Sequence, residues 1–223
     1  MKVISPFGPK IAKLRFPSRI VKMINFEVDK IISKKKLIKK FDYSKKLVGQ
    51  VKQELQLPRI FIKKNLEKTI SNEVKKYIKK SSGKNINSIK IKNFWVVRQF
   101  NNEYNPIHYH DGHVSGVGYL KVPKFITKNK KKPSTDGTID FINGSKMFLN
   151  ESIYNHQPKV GDVLLFPNYL MHTAYPFTSK GERRSFSFNL EIDKKIANVF
   201  SKLINKFKKM YLVNLWSLAP MIQ

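Results

Sequence analysis

From about Ile89 onward the chain is written in short runs of β-branched and aromatic residues: Phe94 to Phe100, Val114 to Val122, Thr138 to Ile142, Val163 to Phe166 and Ser185 to Ile192. Such runs suit a pleated, half-buried surface, and Gly, Pro, Asn or Asp closes each of them. The turn signals Asp111-Gly112, Asp136-Gly137, Asn143-Gly144 and Gly161-Asp162 fall between them, as the hairpins of an antiparallel barrel or sandwich require. The pattern predicts a mainly β core over 89–192. Lys128 to Lys132, ahead of Pro133-Ser134, reads as an exposed loop.

The flanks carry a different period. Ile20, Val21, Ile24, Val28, Ile31 and Ile32 share one face of a helix beginning at a Ser18 cap after Pro17, and Lys34 to Lys40 then dilutes the pattern. Ile62, Leu66, Ile70, Val74 and Tyr77 or Ile78 predict a second helix from about Ile62 to Ile78, ended by Ser81-Ser82-Gly83-Lys84-Asn85. Ile196, Val199, Phe200, Leu203, Ile204, Phe207 and Met210 or Tyr211 predict a C-terminal amphipathic helix packed against the outside of the core. With 223 residues and no internal repeat, the chain reads as one domain. Its parts are a helical N-terminal portion over 1–88, the β core over 89–192 and the C-terminal helix over 193–223.

Cysteine is absent, which excludes disulfides, thiolate nucleophiles and Cys-ligated clusters. Any metal is therefore held by His, carboxylates and water. Met1 to Pro9 lacks the pattern of a signal peptide, and no apolar run approaches the length of a membrane span. A cytoplasmic protein without a membrane partner is expected.

The formal charge of +29 would draw in polyanions. Only six of the 44 basic residues are Arg, however, whereas readers of phosphates and bases exploit the bidentate Arg fork. Abundant Lys, Asn and Ile suggest biased codon usage as much as selection for a ligand. Nucleic-acid binding is a secondary expectation, and the oligomeric state is not legible.

Three of the five His, His108, His110 and His113, fall within six residues just before the run Val114 to Val122. In an extended segment His108 and His110 point to one side, Tyr109 and Asp111 to the other. Two imidazoles roughly 7 Å apart at Cα can converge on one ion, and His172 is the natural third ligand. His113 falls on the opposite side and is expected not to bind. His156, in Tyr154-Asn155-His156-Gln157-Pro158, reads as a structural loop histidine, and Trp95 and Trp216 as core or interface aromatics.

In the last β run, Arg183, Ser185 and Ser187 share one face, and Phe186 and Phe188 the other. A guanidinium with hydroxyls directed inward suits the forked recognition of a carboxylate. Arg184, on the other face, reads as surface charge.

In its order this set of parts resembles the 2-oxoglutarate/Fe(II)-dependent oxygenases, in particular a group with His-x-His followed by Ser-Gly-x-x-Tyr-Leu-x-x-Pro. Here the motif stands as His108-Tyr109-His110-Asp111-Gly112-His113-Val114-Ser115-Gly116-Val117-Gly118-Tyr119-Leu120-Lys121-Val122-Pro123. Gly161-Asp162-x-x-x-Phe166-Pro167 with His172, and Arg183-x-Ser185 with Phe188-Asn189, extend it. Weaker likenesses lie at Phe7-Gly8-Pro9 and Leu47-Val48-Gly49-Gln50.

The resemblance implies a double-stranded β-helix, a cupin-like jelly-roll buttressed by helices. It implies Fe(II), with 2-oxoglutarate as co-substrate and ascorbate as reductant. Arg183 and Ser185 would hold the distal carboxylate, with Tyr119 or Lys121 adding a contact. The reaction implied is oxidative decarboxylation of 2-oxoglutarate coupled to oxidation, usually hydroxylation, of a second substrate, a small molecule or a protein residue. Most of the superfamily pairs His-x-Asp/Glu with a distal His, whereas His110 occupies the carboxylate position here. The expected ligands are His108, His110 and His172, with Asp111 in place of one His as the alternative, which a bulge would permit. A cupin-type metal protein with other chemistry and a basic nucleic-acid-binding β-domain remain as alternatives, and neither needs the Arg183 clamp.

Overall fold

The computed structural model describes residues 1–4, 8–124 and 135–197. Two short strands open the chain, β1 (Lys2–Ile4) and β2 (Ile11–Arg15), before helices α1 (Ser18–Ile32) and α2 (Lys35–Phe41), strand β3 (Gln53–Gln56), and helices α3 (Arg59–Asn65) and α4 (Glu67–Ser82). Then come β4 (Ile89–Gln99), β5 (Asn105–His108), β6 (Val114–Lys121), β7 (Ile139–Ile142), β8 (Ile153–His156), β9 (Asp162–Pro167), β10 (Met171–Ala174), β11 (Arg183–Ile192) and the short helix α5 (Lys194–Ala197). The described strands form two antiparallel sheets, one ordered β1-β2-β9-β6-β11-β4-β3 and the other β5-β10-β7-β8. They make the jelly-roll of a double-stranded β-helix.

Alternation along β11 sets the layers. Phe186, Phe188 and Leu190 point away from the smaller sheet into a core shared with Ile24, Val28 and Ile31 of α1 and Ile70 and Val74 of α4. Val117, Tyr119, Leu164 and Phe166 point the other way, onto Ile139 and Phe141 of the smaller sheet. The larger sheet is thus buried on both faces, and its central strands are apolar on one face and carry functional polar groups on the other.

The two glycines of β6 follow from this layering. A Cβ on Gly116 would collide with the Phe188 ring, and one on Gly118 with the Phe186 ring. Those rings stack on Phe94, with centroids 5.9 and 5.3 Å away. Glycine here permits close approach of ring and backbone.

Several expectations change. Residues 1–88 are not helical alone, since β1, β2 and β3 join the larger sheet. Ser18 is the first helical residue and makes no capping bond; Pro17 takes the cap position. The second helix breaks at Leu66 into α3 and α4, although Ile62, Leu66, Ile70, Val74, Tyr77 and Ile78 all stay buried. Gly83 ends α4 in the left-handed conformation, φ 72°. Of the four turn signals, only Asn143-Gly144 lies between two strands that pair with each other, β7 and β8. The other three sit where the chain passes between the sheets. The Lys128 to Lys132 loop, Trp216 and the C-terminal helix beyond Ala197 lie outside the described residues. No helix among those described is long and apolar enough to cross a membrane.

Candidate active site

A cavity of about 350 Å³ opens between the sheets, lined by residues of β3, β4, β5, β10 and β11. His108 at the end of β5 stands directly opposite His172 on β10. His110, just beyond β5, is fixed by its backbone: its N–H donates to Asn168 O at 2.9 Å, and its carbonyl accepts from Asn168 Nδ2 at 3.0 Å. Ring centroids lie 4.3 Å apart for His108 and His172, 4.7 Å for His110 and His172, and 5.1 Å for His108 and His110. One potential ligand atom from each ring lies within 4.8 Å of the others.

Hydrogen bonds settle the tautomers. Nδ1 of His108 lies 2.7 Å from Pro106 O and Nδ1 of His172 lies 2.9 Å from Leu170 O. A carbonyl only accepts, so each Nδ1 carries the proton and Nε2 keeps its lone pair. Ser115 Oγ donates to Asn189 Oδ1 at 2.9 Å, which leaves its oxygen to accept from His110 Nδ1 at 3.2 Å. Burial, together with the charge a neighbouring His108 would carry, pushes His110 down to about 3. Burial holds His172 well below its ordinary value, reinforced by His108 and His110, and burial also lowers His108. Three neutral imidazoles with oriented lone pairs are a donor set that fits a divalent metal without losing protons.

Arg183 begins β11 on the same face as Ser185, Ser187 and Asn189, and all four line the cavity. Its guanidinium is 2% exposed; Nη1 donates to Gln99 Oε1 at 2.6 Å, and the group lies 5.1 Å from the Tyr119 ring centroid. Among the described residues no carboxylate stands within ion-pairing distance. Arg183 Nε and the Tyr119 hydroxyl are both buried without a hydrogen-bond partner. Burial lowers Arg183 and raises Tyr119 from their ordinary values. A buried guanidinium with no counter-ion and a free donor beside it fits a ligand carboxylate.

The remaining candidates fall elsewhere. Asp111 is exposed on the cavity wall and outside the histidine group. Lys121 shares parity with Tyr119, but the β6–β11 register slips between them: Tyr119 faces Ser185 while Lys121 faces Arg184. The slip turns Lys121 to the helical side, 3.8 Å from Asp29 and 3.9 Å from Glu182. Arg184 is not surface charge: it is 0% exposed and bonded to Glu182 at 2.7 Å and Asp29 at 2.8 Å. His113 accepts at Nδ1 from Ile192 N–H at 3.0 Å.

His156 is the end of a strand and not a loop residue, buried with Nε2 3.3 Å from Asp162 Oδ2. Burial and Lys13 push it to about 4 against the pull of Asp162. Trp95 is buried on the cavity wall with its edge toward His110. Gln99, Glu54 and Asn105 also belong to this region, and no sequence motif marked them; Asn189, which does lie in a motif, joins them through Ser115.

A profile of the family described as "Putative 2OG-Fe(II) oxygenase" matches residues 93–189. No curated protein matches the sequence. Among solved structures the chain is similar to a prolyl-4-hydroxylase of Pseudomonas putida, at 12% identity and TM-score 0.54 over 80% of this chain and 91% of that one. It is similar to HygX of Streptomyces hygroscopicus, solved with iron bound, at 14% identity and TM-score 0.52 over 81% of each chain. A Trichoplax adhaerens prolyl hydroxylase, in complex with a hypoxia-inducible-factor peptide, aligns at 12% identity and TM-score 0.56 over 85% and 86%. The matched stretch runs from β4 into β11 and contains His108, His110, His172, Arg183 and Ser185.

Proposed function

We propose that the cavity binds Fe(II) through His108, His110 and His172 and 2-oxoglutarate through Arg183, Ser185 and Tyr119, and that the protein hydroxylates a second substrate. The observation that carries this reading is Arg183, a buried guanidinium without a carboxylate partner, in the same cavity as three neutral imidazoles. HygX, whose fold is similar, has been solved with nickel and 2-oxoglutarate bound. Bound at the histidines, iron would supply the open positions at which the keto acid and oxygen react, and ascorbate would keep it ferrous.

The chain's own residues prepare that site. Pro106 O, Leu170 O and Ser115 Oγ aim the imidazoles, and burial keeps them neutral. Gln99 holds the Arg183 guanidinium level, leaving Nε free for a carboxylate. Trp95, Phe141 and Phe166 pack around His110 and His172 and exclude water from them. A cupin-type metal protein with other chemistry has no use for the uncompensated Arg183, which costs stability when the site is empty.

The purified chain supplied with Fe(II), ascorbate and oxygen should convert 2-oxoglutarate to succinate, slowly, without a second substrate. His172→Ala should abolish this by weakening metal binding. Absence of succinate from iron-loaded protein would refute the proposal.

A further inference from the structure

The cavity has a second end. Across the larger sheet Glu54 of β3 faces Val97 of β4, and Val97 faces Ser185 of β11. Glu54 and Ser185 are thus two strand spacings apart, roughly 10 Å, and Glu54 belongs to the wall away from Arg183. It lines the cavity and is 1% exposed. Among the described residues no cation pairs with it, and its Oε2 has no hydrogen-bond partner. The Oδ1 of Asn105, on the same wall, is likewise buried and unpartnered.

Gly49 lets the Glu54 and Asn105 side chains approach each other. The position its Cβ would take lies 2.7 Å from Glu54 Oε1 and 2.7 Å from Asn105 Oδ1, so the two acceptors converge over this glycine, where no larger residue fits without moving them. Tyr43, Trp95 and Tyr109 line the cavity nearby. Lys46 also lines it, but its Nζ sits over the Tyr43 ring, 5.4 Å from the centroid, and makes no ion pair with Glu54. The other charge on this wall, Asp111, is acidic. In a chain with 44 basic and 15 acidic residues, a buried cavity carboxylate that no cation pairs is set against the prevailing field.

We infer that this end recognises the second substrate by a cationic nitrogen, an ammonium or guanidinium, held between Glu54 and Asn105 and bordered by aromatic rings. Such a group supplies the donors both oxygens lack and the positive charge Glu54 lacks, and the ring faces add a cation–π contribution. That the ligand is the oxidised substrate rests on the oxygenase reading, but the cation site itself does not.

The test uses the purified full chain without added metal at pH 8. Benzylamine, tyramine and putrescine are titrated calorimetrically, each against its N-acetylated, uncharged counterpart. At least one amine should bind about tenfold or more tightly than its neutral counterpart. Glu54→Gln should remove that preference. Gly49→Ala, whose methyl would displace the two oxygens while keeping the charge, should weaken amine binding, and thermal unfolding confirms that both variants fold. No preference across the three pairs, or a preference that survives Glu54→Gln, overturns the inference. Iron-dependent 2-oxoglutarate binding is measured on the same preparations: cation preference without it refutes the oxygenase reading alone, and the converse refutes the cation site alone.

Discussion

Glu54 gives the account a consequence for stability that needs neither metal nor substrate. Burial, followed by the nearby charge of Asp42, raises its pKa from 4.5 to about 7. The folded state therefore holds this proton more tightly than the unfolded state, so the site is neutral for stability below the unfolded pKa. Ionisation then lowers stability progressively as pH climbs through the window from 4.5 to about 7, and the loss is complete above it. With those two values the loss is about 1 kcal/mol at pH 5 and about 3 kcal/mol at pH 8. Glu54→Gln keeps the shape and removes the charge, so it should stabilise the protein by about 2 to 3 kcal/mol more at pH 8 than at pH 5. For a chain of this size that is roughly 4 to 12 °C in Tm. Calorimetric unfolding of both proteins at the two pH values measures it. A variant no more stable than the parent at pH 8, or equally stabilised at both, would show that Glu54 is not an unpaired buried carboxylate.

Arg184→Ala should destabilise the fold by about 2 to 4 kcal/mol, seen in urea unfolding, because it strips a buried partner from Glu182 and from Asp29; an unchanged midpoint would contradict the burial of Arg184. Gly118→Ala should cost about 1 to 3 kcal/mol by forcing the Phe186 ring out of its stack. The same change combined with Phe186→Leu should recover part of that loss, and strict additivity of the two would refute the collision.

The central strands were legible because they are long and rich in β-branched and aromatic residues, and alternation along β11 correctly divided Arg183 and Ser185 from Phe186 and Phe188. The strands that passed unnoticed, β1, β2, β3, β5, β8 and β10, are only three to five residues long. Segments such as Gln53–Gln56 or Asn105–His108 have no apolar alternation to announce them, and β5 even contains Pro106, which an edge strand tolerates. Arg184 was misread because an arginine is ordinarily exposed, whereas β11 is covered on both faces. Lys121 was misplaced by assuming unbroken alternation where the register slips by one residue. The histidine cluster was visible from spacing alone. Glu54 was not, because its burial comes from pairing with β4 more than forty residues later in the chain.

The most direct test of the central claim is the anaerobic absorption spectrum of the protein with Fe(II) and 2-oxoglutarate. A metal-to-ligand charge-transfer band would require the keto acid to chelate iron bound at the histidines, and a far carboxylate seated on Arg183 would lower the concentration at which it does so. The band should form in the parent protein, require at least about a hundredfold more 2-oxoglutarate in Arg183→Gln, and vanish in His172→Ala. Iron-loaded parent protein that develops no band at any 2-oxoglutarate concentration, or an Arg183→Gln variant that titrates like the parent, would contradict the account.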